Sequence, residues 1–354
     1  MCAVVPKVRP RLVISFGGMR SLLWVSEPLA AQVCDRLADT DAAGQLVKVS
    51  SSHDFFDELT TDAITFVDRT TIGEVPATVS VPVIAFCDDA LPTAISWLAT
   101  YPWLAHVVST SLLQHPIATE HLRSVITTLG LDAAPRLLDW IPRRVTGRRV
   151  RLAHAGTRAD RLERLSEFLG ERGVGTRTVA QLRDAAEELL TNAFYDAPVA
   201  AGVLDRPISR TQDVMLPDDC ACNMVYGCHD DLAIVRVRDP FGSLTRARLV
   251  EVLSRCARSD MRVEVDESMG GAGLGMWRIF SAASFVGIAV SANRHTEVLV
   301  GIVKRTAGPR PYAIHLMFHD DRRPSRGWRV IDDNTADVSV TIVPSLDATP
   351  TDSR

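Results

Sequence analysis

Two hydrophobic rhythms divide the chain. From Ser21 to Leu131, short apolar runs ("SLLWVS", "QLVKVSS", "AITFVD", "VPVIAFCD", "HVVSTSLL") alternate with segments of helical spacing ("EPLAAQVCDRLAD", "HDFFDEL", "LPTAISWLATY", "PIATEHLRSVITTLG"). Continuously apolar strands need cover on both faces, and their alternation with helices predicts a parallel sheet. Five such strands fit the flavodoxin-like doubly wound order. From Thr178 the rhythm changes: Leu182, Ala186, Leu189, Leu190 and Ala193 form the buried stripe of one helix. "CNMVYGCH" and "LAIVRVRD" then read as a hairpin turning at Asp230 and Asp231. "HTEVLVGIVKR" is a later strand, and "YAIHLMFH" and "ADVSVTIVPS" are two extra ones.

Between these halves lies an arginine-rich stretch broken at Pro142 and Gly147, with a helix from about Arg158 to Arg172. Its arginines (Arg143, Arg144, Arg148, Arg149 and Arg151) read as a solvated face paired to nearby acids, since charge runs usually are. The organisation that follows is a first domain over 1–131 and a linker and helix over 132–175. A second domain covers 176–306, extra strands 307–345 and a disordered tail 346–354.

Composition narrows the class. Of 354 residues, 46% are hydrophobic and 23% charged, which is ordinary for a globular protein, and the net charge of −4 argues against nucleic acid as a partner. No run of ~18 apolar residues is present, so no membrane span is expected. No signal peptide is read at the N-terminus. Seven scattered cysteines suit a reduced, cytoplasmic setting better than a disulfide framework. Cys220, Cys222, Cys228 and His229 crowd together, but the spacing is not that of a zinc finger. On a strand Cys220 and Cys222 share one face and pack as small hydrophobes.

Three features of the second half carry chemistry. Asp184, Glu188 and Asn192 recur every four residues on the flank of the Thr178 helix, where apolar residues would pack more cheaply. Asp239 closes a strand and is followed by Pro240, Phe241 and Gly242, either a simple turn or a carboxylate set to accept a hydrogen bond from a ligand amine. In "MGGAGLGMWRIF", Gly270, Gly271, Gly273 and Gly275 lead into a helix, leaving amide N–H groups bare for phosphate. No Gly-Lys-Ser/Thr follows, so this is not a P-loop.

The order of these three boxes resembles the ATP-binding domain of the GHKL superfamily, over about Thr178 to Arg305. That class includes DNA gyrase, the ninety-kilodalton heat-shock chaperones, histidine kinases, MutL and the anti-sigma-factor serine kinases. The resemblance implies an α/β sandwich with a mixed sheet, helices on one face, and ATP under a mobile lid. By the same resemblance Asn192 would ligate Mg²⁺, Asp239 would accept the adenine amine and Thr296 would support it. Gly242 would admit the base, Gly271, Gly273 and Gly275 would wrap the phosphates, and residues 243–269 would hold a helix and a short lid. Glu188 would be the general base. Its presence, and the lack of a phosphoacceptor-histidine helix, favour a serine/threonine kinase of the anti-sigma type or a nucleotide-dependent switch over a histidine kinase. Alternatives are a catalytically dead docking scaffold and a histidine-kinase-related phosphotransfer protein. A regulatory protein partner and a homodimer would fit the class. Two departures stand out: Phe241 takes the place of the first glycine of the Asp-x-Gly-x-Gly box, and the lid has no lysine, leaving Arg258 and Arg262 as phosphate contacts.

The first half resembles the receiver domain of two-component response regulators. Asp68 falls where that family keeps its phosphoacceptor aspartate. Its companions are depleted. Glu27 stands alone after the first strand, Cys87 replaces a hydroxyl residue, and Ser109 and Thr110 lie near the place of the missing lysine. Metal-dependent phosphoryl transfer needs clustered carboxylates and a cation. The expectation is a receiver-shaped docking module, with phosphorylation of Asp68 as the lesser reading.

Overall fold

The computed structural model describes residues 14–15, 20–38, 45–60, 63–129, 137–140, 145–229, 231–258, 273–303, 310–319 and 339–341. It is a mixed α/β protein whose contacts divide into two units, Met1–Asp132 and Ala133–Arg354.

In the first unit, strands β1 (Ile14–Ser15), β2 (Arg20–Trp24), β3 (Gln45–Lys48), β4 (Ala63–Val67), β5 (Val83–Cys87) and β6 (His106–Ser109) alternate with helices α1 (Glu27–Leu37), α2 (Ser52–Glu58), α3 (Leu91–Thr100), α4 (Thr110–Leu113) and α5 (Ala118–Leu129). The parallel strands lie in the order β3-β2-β4-β5-β6, with β1 antiparallel on β3. Every residue of β4, β5 and β6 is buried, as the unbroken apolar runs require. Trp24 stacks on Phe55 at 4.7 Å and Phe66 on Phe86 at 5.9 Å. The run "HVVSTSLL" is only half strand, because the chain turns at Ser109 and continues as α4. A short apolar run does not by itself separate a buried strand from a buried helical turn.

The second unit comprises strands β7 (Thr146–Leu152), β8 (Cys222–His229), β9 (Leu232–Asp239), β10 (Phe285–Ser291), β11 (His295–Val303), β12 (Ala313–His319) and β13 (Ser339–Thr341). Its helices are α6 (Arg158–Glu171), α7 (Thr176–Thr191), α8 (Ala197–Ala200), α9 (Arg246–Arg258) and α10 (Leu274–Ala282). The strand order is β12-β10-β11-β9-β8-β7-β13, with β12 parallel to β10 and the other neighbouring pairs antiparallel. Helix α7 packs on β9 and β11 with α6 and α10 beside it, and α9 packs on α10.

Strand β7 lies inside the stretch read as a linker. Its arginines disguised it: Val150 and Leu152 turn inward, while the Arg148 guanidinium lies over the Phe168 ring of α6 at 5.3 Å. A guanidinium can lie over an aromatic face at the edge of a core, so a charged segment can still be a half-buried strand. The β9–β11 register sets Thr296 opposite Asp239 on one face, and Arg236 and Glu297 point to the other. There Arg236 Nε donates to Glu297 Oε1 at 2.7 Å, with both side chains almost fully buried. The tail 346–354 lies outside the described residues.

Candidate functional site

Helix α7 buries Leu182, Ala185, Ala186, Leu189 and Leu190 against the sheet, which turns Glu188 to the flank facing α10. Its end is unusual. Asn192–Asp196 form a π turn, followed by α8 with Pro198 in its first turn. Pro198 has no N–H to return to the preceding turn, and its ring crowds the carbonyl there, so a widened turn fits. A π turn, closed by i→i+5 bonds, advances fewer degrees per residue than an α turn. It therefore keeps Asp196 roughly in line with Glu188 and Asn192. Among the described residues no hydrogen bond engages the Asn192 carboxamide.

The glycine loop meets α7 through Gly275. A Cβ there would stand 1.8 Å from the Glu188 carboxyl carbon, so this glycine is what lets the carboxylate lie against α10. Gly273 opens α10 in the left-handed conformation, φ 70°, and a Cβ on it would stand 2.1 Å from Val252 Cγ1 of α9. Gly271 lies outside the described residues. A cleft of about 500 Å³ runs between the two helices from Glu188 and Gly275 past Asp184, Arg278 and Ile279 to Gln181. Burial raises the Glu188 pKa, and the Arg210 charge acts against it.

Asp239 ends β9 as a buried carboxylate, 8% exposed, with the Phe241 N–H donating to Oδ1 at 2.9 Å. Burial pushes its pKa up to about 6, against the pull of hydrogen bonds from Phe241, Gly242 and Thr296. The Thr296 hydroxyl beside it is buried and without a partner in good hydrogen-bonding geometry. Gly242 holds φ 61°, and a Cβ on it would overlap Ser291 O at 2.1 Å. The loop after β9 thus lies tight on the β10–β11 turn, where Asn293 N–H donates to Gly242 O at 3.3 Å. Cys222 neighbours Asp239, and burial followed by the Asp239 charge pushes its thiol up to about 12, leaving it inert.

No protein-family model and no curated protein sequence matches this chain.

In the first unit Asp68 is engaged by its own loop. Ser26 N–H donates to Oδ2 at 2.7 Å, and Thr70 N–H and Oγ1 donate to Oδ1 at 2.9 and 2.6 Å. Burial raises its pKa, but these hydrogen bonds outweigh it and the carboxyl titrates below its ordinary value. Both oxygens already have donors, which fits a structural strand-end residue.

Three site features had little sequence signal. Asp196 stands four residues beyond Asn192, a spacing visible in the sequence. Arg210 and Arg278 reach the site from a loop and from α10, and nothing in their neighbours marks them. Among the described residues no three His, Cys, Asp or Glu side chains gather to hold a metal ion. No described helix is long and apolar enough to cross a membrane.

Proposed function

We propose that the second unit binds ATP with Mg²⁺ in the manner of GHKL domains. The protein then acts as a serine/threonine protein kinase of the anti-sigma type, or as a switch governed by nucleotide. The observation that carries this reading is the buried Thr296 hydroxyl, without a partner in good hydrogen-bonding geometry, beside the buried Asp239 carboxylate, which already accepts from the Phe241 N–H. A carboxylate 8% exposed and a buried hydroxyl without a partner stand side by side on β9 and β11. Buried polar groups are normally satisfied, and exceptions call for an explanation. An amine-bearing heterocycle would give the hydroxyl a partner and add a donor to the carboxylate.

The remaining residues fit the same ligand. Gly242 lets backbone approach a flat base, Gly273 and Gly275 present bare amides at the start of α10, and Asn192 offers a free carboxamide oxygen. ATP supplies the transferable phosphoryl group and Mg²⁺ neutralises its charge. Glu188, half-buried with a raised pKa, is suited to take the proton from a hydroxyl in the adjoining cleft. For the first unit, the parallel order matches that of receiver-like flavodoxin folds, and the saturated Asp68 carboxylate supports a docking module rather than a phosphoacceptor.

Binding of a fluorescent ATP analogue with Mg²⁺ tests the site. The intact protein should bind it and Asp239→Asn should lose at least ~10-fold, as expected when a charged hydrogen-bond acceptor is replaced. An intact protein that binds no nucleotide overturns the reading. Radiolabelled ATP with candidate partner proteins then tests turnover. Glu188→Gln should retain binding and lose transfer, and equal transfer by the variant would remove the base from the scheme.

A further inference from the structure

Residues 243–269 contain no lysine, and of the two arginines there read as phosphate contacts, Arg262 lies outside the described residues. Arg258 Nε donates to Ser254 O at 3.2 Å, tying the side chain back to α9. A terminal phosphate placed beside Glu188 without a cation would repel that carboxylate. The charge that acts most on Glu188 comes from another part of the chain, from Arg210, which borders a smaller pocket next to the cleft with Arg158, Glu187 and Tyr195. Arg210, on the loop between α8 and β8, reaches the C-terminal end of α7 and donates from Nη2 to Asp196 Oδ2 at 3.2 Å. The π turn keeps Asp196 in line with Glu188 and Asn192. A guanidinium has five N–H donors, and among the described residues this one uses a single donor, on Asp196. The side chain is 39% exposed, so the remaining donors can meet a ligand. Its charge is the strongest of those acting on Glu188.

Resting on the nucleotide reading above, we propose that Arg210 is the ligand of the terminal phosphate, held ready by Asp196. The planar fork matches phosphate oxygens two at a time, which a lysine does less well. Asp196 fixes the fork before the ligand arrives, so less side-chain entropy is lost on binding. Arg278 is the competing cation. It sits on the first turns of α10, exposed, with no hydrogen-bonded acid among the described residues to hold it.

The test compares affinities for Mg²⁺ with ADP and with a non-hydrolysable ATP analogue in the full chain. The variants are Arg210→Ala, Arg210→Lys and Arg278→Ala, each checked for an unchanged melting profile. Arg210→Ala should weaken the ATP analogue by ~10- to 100-fold while ADP affinity changes less than ~3-fold, as losing a charge-assisted contact to one phosphate predicts. Arg210→Lys should recover part of the ATP-to-ADP preference, whereas a purely structural role would shift both affinities together. If the ATP-to-ADP preference survives in Arg210→Ala, or is lost in Arg278→Ala instead, the assignment is overturned. A wild-type protein that binds neither nucleotide is a different failure, and it overturns the site as well.

Discussion

Asp239 should make the nucleotide-free protein less stable, and Asp239→Asn should relieve that cost. In an unfolded chain its carboxyl titrates near 3.8, and in the fold burial lifts it to about 6. Over that interval the native state binds more protons than the unfolded state, so stability falls as pH rises from about 4 to about 6. The interval of roughly 2 pH units corresponds to about 3 kcal/mol at 1.36 kcal/mol per unit. At pH 4 the buried group is largely protonated, and an asparagine should be nearly equivalent to it. Above pH 6 the variant should be more stable by about 3 kcal/mol, a plateau that no longer grows with pH. The asparagine oxygen can still accept from Phe241 N–H, so the loop contact persists. The assay is urea unfolding of wild type and variant from pH 4 to 7.5 without nucleotide. The difference between the two at each pH cancels the titration of every other group. A constant difference across this range, or a variant less stable at pH 7, would refute the account. The cost is the kind a binding site carries, because the same charge is neutralised by a donor when ligand arrives.

Two further outcomes follow from the geometry. Gly275→Ala places a methyl 1.8 Å from the end of the Glu188 side chain, which is flexible enough to swing aside. Stability should change by less than about 1 kcal/mol, with the helix-propensity gain of alanine offsetting some crowding, while phosphoryl transfer falls as in Glu188→Gln; unimpaired transfer would show that the carboxylate position does not matter. Asp68→Asn should destabilise the protein by about 1–3 kcal/mol at pH 7 through its broken loop bonds, measured by thermal unfolding. Because the folded pKa lies below its ordinary value, that difference is present above pH ~4 and fades as pH falls through the folded value. Radiolabel appearing on Asp68 with a phosphoryl donor would contradict its structural role.

Much of the architecture was legible because hydrophobic period encodes burial. Unbroken runs such as "AITFVD" and "VPVIAFCD" became fully buried parallel strands, and the stripe from Leu182 to Leu190 became the inner face of α7. Strand β7 was hidden because three of its seven residues are arginines, one of which lies with its guanidinium over an aromatic ring where an apolar side chain would usually stand. The turn after β6 was hidden because so short a run, ending in Leu112 and Leu113, suits a strand or a helical turn equally.

For the site, sequence order alone singled out Glu188, Asn192, Asp239 and Gly275, since polar residues on a buried flank and clustered glycines are costly unless used. What lay beyond it was proximity. That Gly275 makes room for the Glu188 carboxyl, that Thr296 faces Asp239 with its hydroxyl unpaired, and that Arg210 closes on Asp196 are results of packing between distant segments. Local pattern reports which face of an element is buried. Electrostatic environment depends on which elements meet, so the raised pKa values of Asp239 and Glu188 were decided by the tertiary structure alone.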